Sequence, residues 1–302
     1  MPIRSYDSIE AGIRGCFAPD VVIKERSYVH GGDINDSFCL HLSNGEDVFV
    51  KSNTLSNRGL FDAEETGLFS IASTKAIGTP DLLCKGVDQE KQISFLMMEM
   101  IPRMGRIEDY FAVFGRELAA MHLKDTSSFV SDGNYGFNSD NYIGASKQVN
   151  TPKDTWTDFF RECRLIPQFR MAKRYFGSTE VKSVIRLLDK LDDILIEPER
   201  PSILHGDLWS GNFITGRDKK AWLIDPAVYV GHAEADIAMT ELFGRLPNEF
   251  YSEYMSVYPM QPGYPDRRNL YNLYHLLNHL NLFGGSYLPE VINTVRYYTS
   301  MR

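Results

Sequence analysis

One segment, residues 204 to 225, restricts what this chain can fold into more than any other. It reads LHGDLWSGNFITGRDKKAWLID, and His205, Asp207 and Asn212 interrupt its apolar background. NFIT, the polar turn GRDKK and AWLID have the pattern of a short hairpin, and Asp225 comes at its far end. The spacing therefore predicts a polar loop followed by a hairpin, with Asn212 before the hairpin and Asp225 after it.

The order of these residues suits phosphoryl transfer. HGDLWSGN fits the H-x-D-L-x-x-x-N pattern of a kinase catalytic loop. The reaction needs an acceptor that orients the attacking hydroxyl and oxygen ligands that hold Mg²⁺ on the phosphates. We expect Asp207 to orient and help deprotonate the hydroxyl, while Asn212 and Asp225 bind the metal. His205 is expected to keep Asp207 aimed, since its ring is not needed as a base. The alternative, a solvated loop that merely contains Asp and Asn, is disfavoured by the complete motif and the later aspartate.

The remaining chain divides into a mostly β part and a mostly helical part. From 21 to 51, strand-like runs alternate with turn-forming clusters of Gly, Asn and Asp. A helical segment, FDAEETGLFSIAS, and a hairpin from DLLCKGV to ISFLMMEMI follow. After Pro102 the pattern is helical apart from the hairpin at 213–224. We predict an α+β chain with a small antiparallel-sheet N-lobe over residues 1–100 and a mainly helical C-lobe over residues 101–302.

The β lobe carries residues that a kinase-type site needs for the phosphates. Lys51 ends the strand VFVK, and Glu64 or Glu65 on the next helix would pair with it, with Glu64 preferred. Lys51 alone would be an ordinary strand-end lysine, so its assignment depends on the downstream motif. The turn GGDIND, with Gly31 and Gly32, lies where a phosphate loop belongs. It lacks the GxGxxG pattern and by itself indicates an ordinary hairpin turn.

The strand FLMMEMIP is expected to connect the two lobes and to bind the adenine edge of a nucleotide through its backbone. By position, Met98 would back the adenine pocket, Glu99 would offer its carbonyl and Ile101 its amide. The alternative is that the Met-rich side chains belong to the core, which is the usual role of such a run. Both can hold, because the adenine contact needs only the backbone.

Composition limits the partners of the chain. It has 40 acidic and 32 basic residues, a formal net charge of -8, which argues against nonspecific binding to nucleic acid or to anionic membranes. No apolar run approaches a membrane span, and the first residues lack the apolar core of a signal peptide. The four cysteines form no CxxC pair. These features favour a cytoplasmic protein with reduced thiols and a neutral or cationic ligand.

The chain resembles the fructosamine kinase (ketosamine kinase) family, which is related to the aminoglycoside phosphotransferases and choline kinases. The resemblance covers most of the chain and includes GGDIN, VFVK, FDAEETGL, FLMMEMI, YGFNSDNYIG, HGDLWSGN, IDPAVYVGHAEADIAMTELFG and YHLLNHLNLFGGSY. HGDLxxGN followed by IDP is common to the wider superfamily. The version with Trp209 and DPAVYVGH is much narrower.

The resemblance implies a protein-kinase-like fold and ATP- and Mg²⁺-dependent phosphorylation of a sugar hydroxyl of ketosamines, in protein deglycation or metabolite repair. Carried over by position, the residues are Asp207 as base, Asn212 and Asp225 as Mg²⁺ ligands, Lys51 and Glu64 as the phosphate-positioning pair, Trp209 as a wall of the sugar pocket, His279 near the substrate cleft and Asp236 as a brace for the catalytic loop. Many relatives have cysteine after the paired glycines, where this chain has Asp33. A thiol switch at that turn is therefore not expected.

Several alternatives stay open. The same fold could act on an aminoglycoside or choline, or it could bind nucleotide without catalysis. His275 and His279, spaced four apart, could belong to a zinc hydrolase, but Leu276 breaks the H-E-x-x-H signature and no third ligand is evident. A packing role for His275 fits equally well. The sequence does not distinguish fructosamine from ribulosamine, a free metabolite from a glycated protein lysine, or one oligomeric state from another.

Overall fold

A six-stranded sheet dominates the N-terminal third of the protein. The computed structural model describes residues 2–29, 34–131 and 134–300. The order of strands in the sheet is β1-β5-β6-β4-β3-β2. The strands are β1 Arg4–Tyr6, β2 Ile23–Tyr28, β3 Asp36–Leu42, β4 Asp47–Thr54, β5 Leu82–Asp88 and β6 Ile93–Glu99.

The expectation of a purely antiparallel sheet is wrong at one edge. Strands β2 to β6 pair antiparallel, but β1 pairs parallel with β5, with Arg4 opposite Cys84 and Tyr6 opposite Gly86. The sequence RSY of β1 has no alternation of apolar residues that would indicate a strand. It is held through the backbone of the β5 edge, which local sequence does not reveal.

The sheet has two different faces because successive side chains of a strand point to opposite sides. On β3 and β4, the side chains of Phe38, Leu40, Val48 and Val50 are buried in a cluster with residues of helix α1, Ile9–Cys16. Lys51 follows Val50 and therefore lies on the opposite face. That face packs on helix α2, Arg58–Ser73, through the cluster of Phe61, Leu96 and Met98.

The C-terminal two thirds are mainly helical, around a core of fully buried aromatic residues that include Trp156, Phe114 and Phe250. A π-helical turn, Phe160–Leu165, joins α4 to α5. The helices are α3 Tyr110–His122, α4 Trp156–Phe159, α5 Ile166–Met171, α6 Ser178–Asp189, α7 Leu191–Ile194, α8 Glu234–Leu242, α9 Asn248–Val257, α10 Tyr264–Phe283 and α11 Leu288–Ser300. Among the described residues, no helix is long and apolar enough to cross a membrane.

In the part of the chain that the structure describes, three two-stranded ribbons lie among these helices, where the sequence predicted one. The predicted hairpin is present as β10 Phe213–Thr215 and β11 Ala221–Leu223. The other ribbons are β7 Asn141–Ile143 with β8 Ser146–Gln148, and β9 Ser202–Leu204 with β12 Tyr229–Gly231. The strands NYI and SKQ of the β7–β8 ribbon have no alternation of apolar residues, and the β9–β12 ribbon joins segments that are distant in the chain, so no local pattern indicated either ribbon.

An irregular segment between β6 and α3 connects the sheet to the helices. The predicted domain boundary, after residue 100, lies in this segment. Two contacts fasten it to the turn of the β10–β11 hairpin. Arg217 Nε lies 2.8 Å from Glu99 Oε2, and the Ile107 amide donates to the Lys219 carbonyl at 3.3 Å. The connector and the turn of the hairpin therefore lie side by side.

Candidate active site

The loop after β9 turns sharply at Gly206 and brings Asp207 to the cleft. Gly206 has φ of +82°, and a Cβ atom there would lie 2.0 Å from the Ala227 carbonyl oxygen. Only glycine fits this conformation and this close approach. The turn also leaves the backbone N–H groups of His205 and Gly206 pointing inward, where they need acceptors.

Asp236 of α8 supplies those acceptors. Its carboxylate accepts from the amide of His205 at 2.6 Å and from the amide of Gly206 at 2.9 Å. Its Oδ2 also lies 3.2 Å from His122 Nε2, while His122 Nδ1 bonds the Tyr254 hydroxyl at 2.8 Å. Burial alone would raise the pKa of Asp236, but the hydrogen bond and charge of His122 lower it overall. Asp236 is therefore an ionised, buried acceptor that holds the loop in shape.

His205 links the loop to the end of the β10–β11 hairpin. Its Nδ1 accepts from the Asp207 amide at 3.2 Å, which leaves the proton on Nε2, and Nε2 donates to the Ile224 carbonyl at 2.9 Å. Burial lowers the pKa of this fully buried ring, so it is neutral. His205 therefore contacts both the backbone of Asp207 and the residue before Asp225.

Asp207 is a carboxylate with an elevated pKa. Burial raises the pKa of Asp207 to about 7, the hydrogen bond from Asn212 opposes the rise, and the charge of Asp236 adds to it. Asn212 Nδ2 donates to Asp207 Oδ2 at 3.0 Å and to the Asp207 carbonyl at 2.8 Å. A carboxylate with a pKa near neutrality is suited to receive a proton from an attacking hydroxyl.

Asn212 and Asp225 flank the open end of the hairpin. The Ile224 amide donates to the Asn212 carbonyl at 3.1 Å, which continues the pairing of Phe213 with Leu223 by one step. Because Asn212 turns its Nδ2 toward Asp207, its Oδ1 remains for another ligand. Asp225 has φ of 54°, a strained conformation for a residue other than glycine, and its side chain is 41% exposed. An amide oxygen and a carboxylate in this position form a donor set that suits Mg²⁺.

Lys51 lies between two carboxylates. Its Nζ is 2.6 Å from Glu64 Oε1 and also bonds Asp225 Oδ1. The neighbouring Glu65 is directed elsewhere: its Oε1 accepts from the Ile3 amide at 2.8 Å and its Oε2 lies 2.6 Å from Lys85 Nζ. Of the two candidates on α2, Glu64 is thus the one that pairs with Lys51.

The connector residues use their side chains within the protein. Met98 is buried against Phe61 and Leu96, and Glu99 accepts from the Asp81 amide at 2.8 Å while pairing with Arg217. Ile101 is partly exposed in the irregular segment. Any adenine contact here would use the backbone. The phosphate-loop candidates Gly31 and Gly32, together with Asp33, lie outside the described residues.

Aromatic side chains line the other side of the catalytic loop. Trp209 is 37% exposed, and its ring centroid lies 6.2 Å from that of Phe243, which in turn lies 4.7 Å from the ring of His279. His279 Nδ1 donates to the His275 carbonyl at 2.8 Å. The structure thus connects Trp209 and His279 through Phe243, a residue of the segment IDPAVYVGHAEADIAMTELFG that sequence reasoning did not single out.

His275 was also missed as a site residue. Its Nδ1 lies 3.8 Å from Asp207 Oδ1, and burial is the main cause that lowers the pKa of the ring to about 3. The spacing of four residues from His279 was a signal that both histidines share a helix face. In the part of the chain that the structure describes, the group of three potential metal ligands within 4.8 Å of one another is Cys39, His41 and Asp47, which does not include this pair.

A buried amide network supports the segment after Asp225. Gln148 Nε2 donates to the Ala227 carbonyl at 3.0 Å, and Asn141 Nδ2 donates to the Val228 carbonyl at 2.7 Å. Tyr274 donates to Gln148 Oε1 at 2.7 Å. The network holds the chain that leaves the metal-site candidate against α10.

The fructosamine kinase family model matches residues 6–300. The chain belongs to this family. Among curated members, the probable ketoamine kinase of Synechocystis sp. is 40% identical over 294 residues and covers 96% of both chains. The chloroplastic protein-ribulosamine 3-kinase of Oryza sativa subsp. indica is 36% identical over 277 residues, which are 91% of this chain and 79% of that one.

Solved structures share the fold of this fructosamine kinase family member. A protein of Haemophilus somnus 129PT assigned as a fructosamine-3-kinase has a TM-score of 0.85 at 30% identity and covers 96% of both chains. Aminoglycoside phosphotransferase APH(4)-Ia, solved with AMP-PNP and hygromycin B, has a TM-score of 0.61 at 15% identity over 97% of this chain and 98% of that one. The predicted two-lobe, protein-kinase-like fold and the family resemblance are confirmed.

Proposed function

We propose that this protein is a kinase that transfers the γ-phosphoryl group of ATP to a sugar hydroxyl of a ketosamine. The observation that carries the proposal is that Asp207 contacts Asn212 and Lys51 contacts Asp225 at the open end of the β10–β11 hairpin, in a chain of the fructosamine kinase family. The names of the ketoamine and ribulosamine kinase relatives support the substrate class.

The residues proposed to bind the nucleotide and its metal each have a role that follows from their chemistry. Lys51, held by Glu64, binds the nucleotide phosphates, and the strand lysine and helix glutamate of kinases work as such a pair. Asn212 Oδ1 and the Asp225 carboxylate would hold Mg²⁺. When bound, the metal would neutralise charge that develops on the phosphates.

Asp207 acts on the acceptor. Its position beside Asn212 keeps it at the edge of the cleft, and its raised pKa suits a group that takes a proton from the attacking hydroxyl. Asp236 and His205 act indirectly, because they hold the loop that carries Asp207. Trp209, with Phe243 and His279, would form the apolar wall on which a sugar ring stacks.

The biological part of the proposal is repair. Phosphorylation of a ketosamine destabilises the adduct, so the enzyme would act in protein deglycation or in metabolite repair, on glycated protein lysines or free adducts. We place it in the cytoplasm, from the composition; the rice relative named above is chloroplastic. The net charge of -8 supports an acceptor that carries a protonated amine.

The test is a panel of acceptors with purified protein, ATP and Mg²⁺: fructose-lysine, ribulose-lysine, an aminoglycoside, choline and no acceptor. We expect phosphate transfer to a ketosamine, detected as a phosphorylated product, and no transfer after chelation of Mg²⁺ with EDTA. Asp207→Asn is the inactive control. Transfer to the aminoglycoside or choline alone would overturn the substrate assignment, and ATP binding with no transfer at all would indicate a nucleotide-binding protein.

A further inference from the structure

We infer that His275 and Asp207 together form the subsite that holds the reacting hydroxyl of the acceptor, with His275 as a hydrogen-bond donor to the hydroxyl oxygen. The inference rests on the proposed function and names a residue that the catalytic motif does not contain. His275 lies on α10, 68 positions after Asp207 in the chain, so only packing brings the two side chains together.

The two oxygens of Asp207 have different surroundings. Oδ2 accepts from Asn212 Nδ2 at 3.0 Å, whereas Oδ1 faces His275 Nδ1 at 3.8 Å. That separation is too long for a direct hydrogen bond. One oxygen atom placed to the side of the line that joins them can make a bond of about 2.8 Å to each. A hydroxyl at that point would therefore bond to both groups.

His275 Nδ1 lacks a hydrogen-bond partner within the described residues, and the residue is only 5% exposed. Buried polar atoms are almost always paired, because an unpaired one loses its hydration without compensation. The neighbouring Tyr274 hydroxyl is already committed to Gln148, and His279 Nδ1 to the His275 carbonyl. A bound ligand in the cleft is the partner that His275 Nδ1 lacks.

The imidazole is neutral in this environment, since burial lowers its pKa to about 3. A neutral ring with its proton on Nδ1 donates one hydrogen bond toward Asp207 and carries no charge that would compete with the metal or with Lys51. The ring can therefore fix the direction of the acceptor oxygen without taking part in proton transfer.

The transfer step involves the acceptor hydroxyl, Asp207, His275 and the γ-phosphoryl group of ATP. The acceptor hydroxyl donates to Asp207 Oδ1, and its oxygen accepts from His275 Nδ1–H. A remaining lone pair forms the bond to the γ-phosphorus of ATP, and the bond from that phosphorus to the β,γ-bridging oxygen breaks, with its electron pair leaving on ADP. The hydroxyl proton passes to the Asp207 carboxylate. His275 neither gains nor loses a proton.

Three replacements at position 275 distinguish a hydrogen-bonding role of His275 from a role in packing alone. Asn places an N–H donor close to the position of Nδ1, Gln places its donor farther out, near the position of Nε2, and Leu keeps bulk but has no donor. We expect His275→Leu and His275→Gln to lower kcat for the ketosamine by about tenfold to a hundredfold, the range of a positioned polar group. His275→Asn should recover most of that loss. The nucleotide Kd, measured by calorimetry with ADP and Mg²⁺, should stay unchanged in all three.

His41→Asn is the matched control, because His41 is a surface residue on the β3–β4 hairpin that bonds Asp47 and Ser27. It should keep wild-type kcat. The inference is overturned if His275→Leu keeps wild-type kcat, or if Asn and Gln lower kcat equally. If Leu does not fold, the comparison of Asn with Gln decides alone. If the wild-type protein phosphorylates no ketosamine, the proposed function is overturned as well. If the wild type is active and the His275→Leu variant is equally active, only the role assigned to His275 is overturned.

Discussion

The two sides of the catalytic loop satisfy their polar groups in opposite ways. On the nucleotide side, Lys51 is bonded to both Glu64 and Asp225, so the charged groups satisfy one another. On the acceptor side, the Trp209 ring is more than a third exposed, and His275 Nδ1 is buried without a partner. The first side is assembled before any ligand arrives, and the second is complete only with one.

This difference indicates which residues bind the nucleotide and which residues select the acceptor. A preassembled set of charges suits phosphate groups, which all nucleoside triphosphates share, since fixed groups need little reorganisation during the reaction. Exposed rings and an unpaired donor discriminate between acceptors, because a ligand that cannot pair a buried polar group is rejected. Variants on the nucleotide side should therefore affect all acceptors, and variants on the acceptor side only some.

The largest effect should come from the residue between the two sides. Asp207→Asn keeps the shape of the side chain but cannot accept a proton, so kcat should fall by about a hundredfold or more. The nucleotide Kd should stay unchanged, because the Lys51 cluster is untouched. Asp193→Asn, on the exposed surface of α7, is the control. Near wild-type turnover of Asp207→Asn would refute the base assignment.

The next effect belongs to the nucleotide side. Lys51→Met removes the cation between Glu64 and Asp225 and leaves two carboxylates that repel the phosphates. We expect the KM for ATP to rise about tenfold and kcat to fall with every acceptor. Lys85→Met is a matched control, because Lys85 lies on the same face of the sheet but pairs with Asp62 and Glu65 of α2. If Lys85→Met raised the KM equally, the placement of α2, and not the Lys51 charge, would be responsible.

A smaller effect is expected from the acceptor side. Trp209→Leu removes an aromatic face, which contributes about 1 kcal/mol, so the KM for the ketosamine should rise about fivefold to tenfold. The KM for ATP should not change, and Trp209→Phe should restore most of the affinity. Trp222→Leu, on β11 outside the cleft, controls for the loss of a tryptophan. A parallel rise in the KM for ATP would remove the distinction between the two sides.

The smallest effect concerns the free energy of unfolding as a function of pH. Burial lowers the pKa of His232 and of His275 to about 3, so between about 6.5 and 3 the unfolded chain binds protons that the folded chain excludes. The contribution of these two histidines to the free energy of unfolding should be constant above pH 6.5 and fall below it, by up to about 1.4 kcal/mol per pH unit for each histidine. Urea unfolding at pH 7.5 and 5.5 should show a smaller difference for His232→Gln than for the wild type. An equal difference in both proteins would exclude His232 as a source.

The part of the site that was predictable from the sequence is the part that is local in the chain. The spacing of Asp207, Asn212 and Asp225 predicted the β10–β11 hairpin and its position, because loop length and turn residues determine a hairpin over a few residues. The strand that carries Lys51 was predictable for the same reason, but it continues to Thr54 and does not end at Lys51 as predicted. The short strand β1, without an apolar pattern, was not.

Contacts between distant segments were not predictable with the same certainty. Glu64 and Glu65 are neighbours in sequence, and only the rotation at which α2 docks on the sheet decides that Glu64 meets Lys51 while Glu65 meets Lys85. The brace from Asp236 to the loop was inferred from family resemblance, and its geometry appeared only with the packing of α8.

By itself the sequence determined the family, through motifs such as HGDLWSGN and DPAVYVGH. It also determined the two-lobe fold and the spacing of the catalytic loop and its hairpin, since these depend on short-range patterns of turn residues and alternating apolar residues. The tertiary structure alone decided which glutamate pairs with Lys51, that Phe243 joins Trp209 to His279, and that His275 faces Asp207. These arrangements depend on how α2, α8 and α10 rotate as they pack, and that rotation is set by the whole core and not by any local motif.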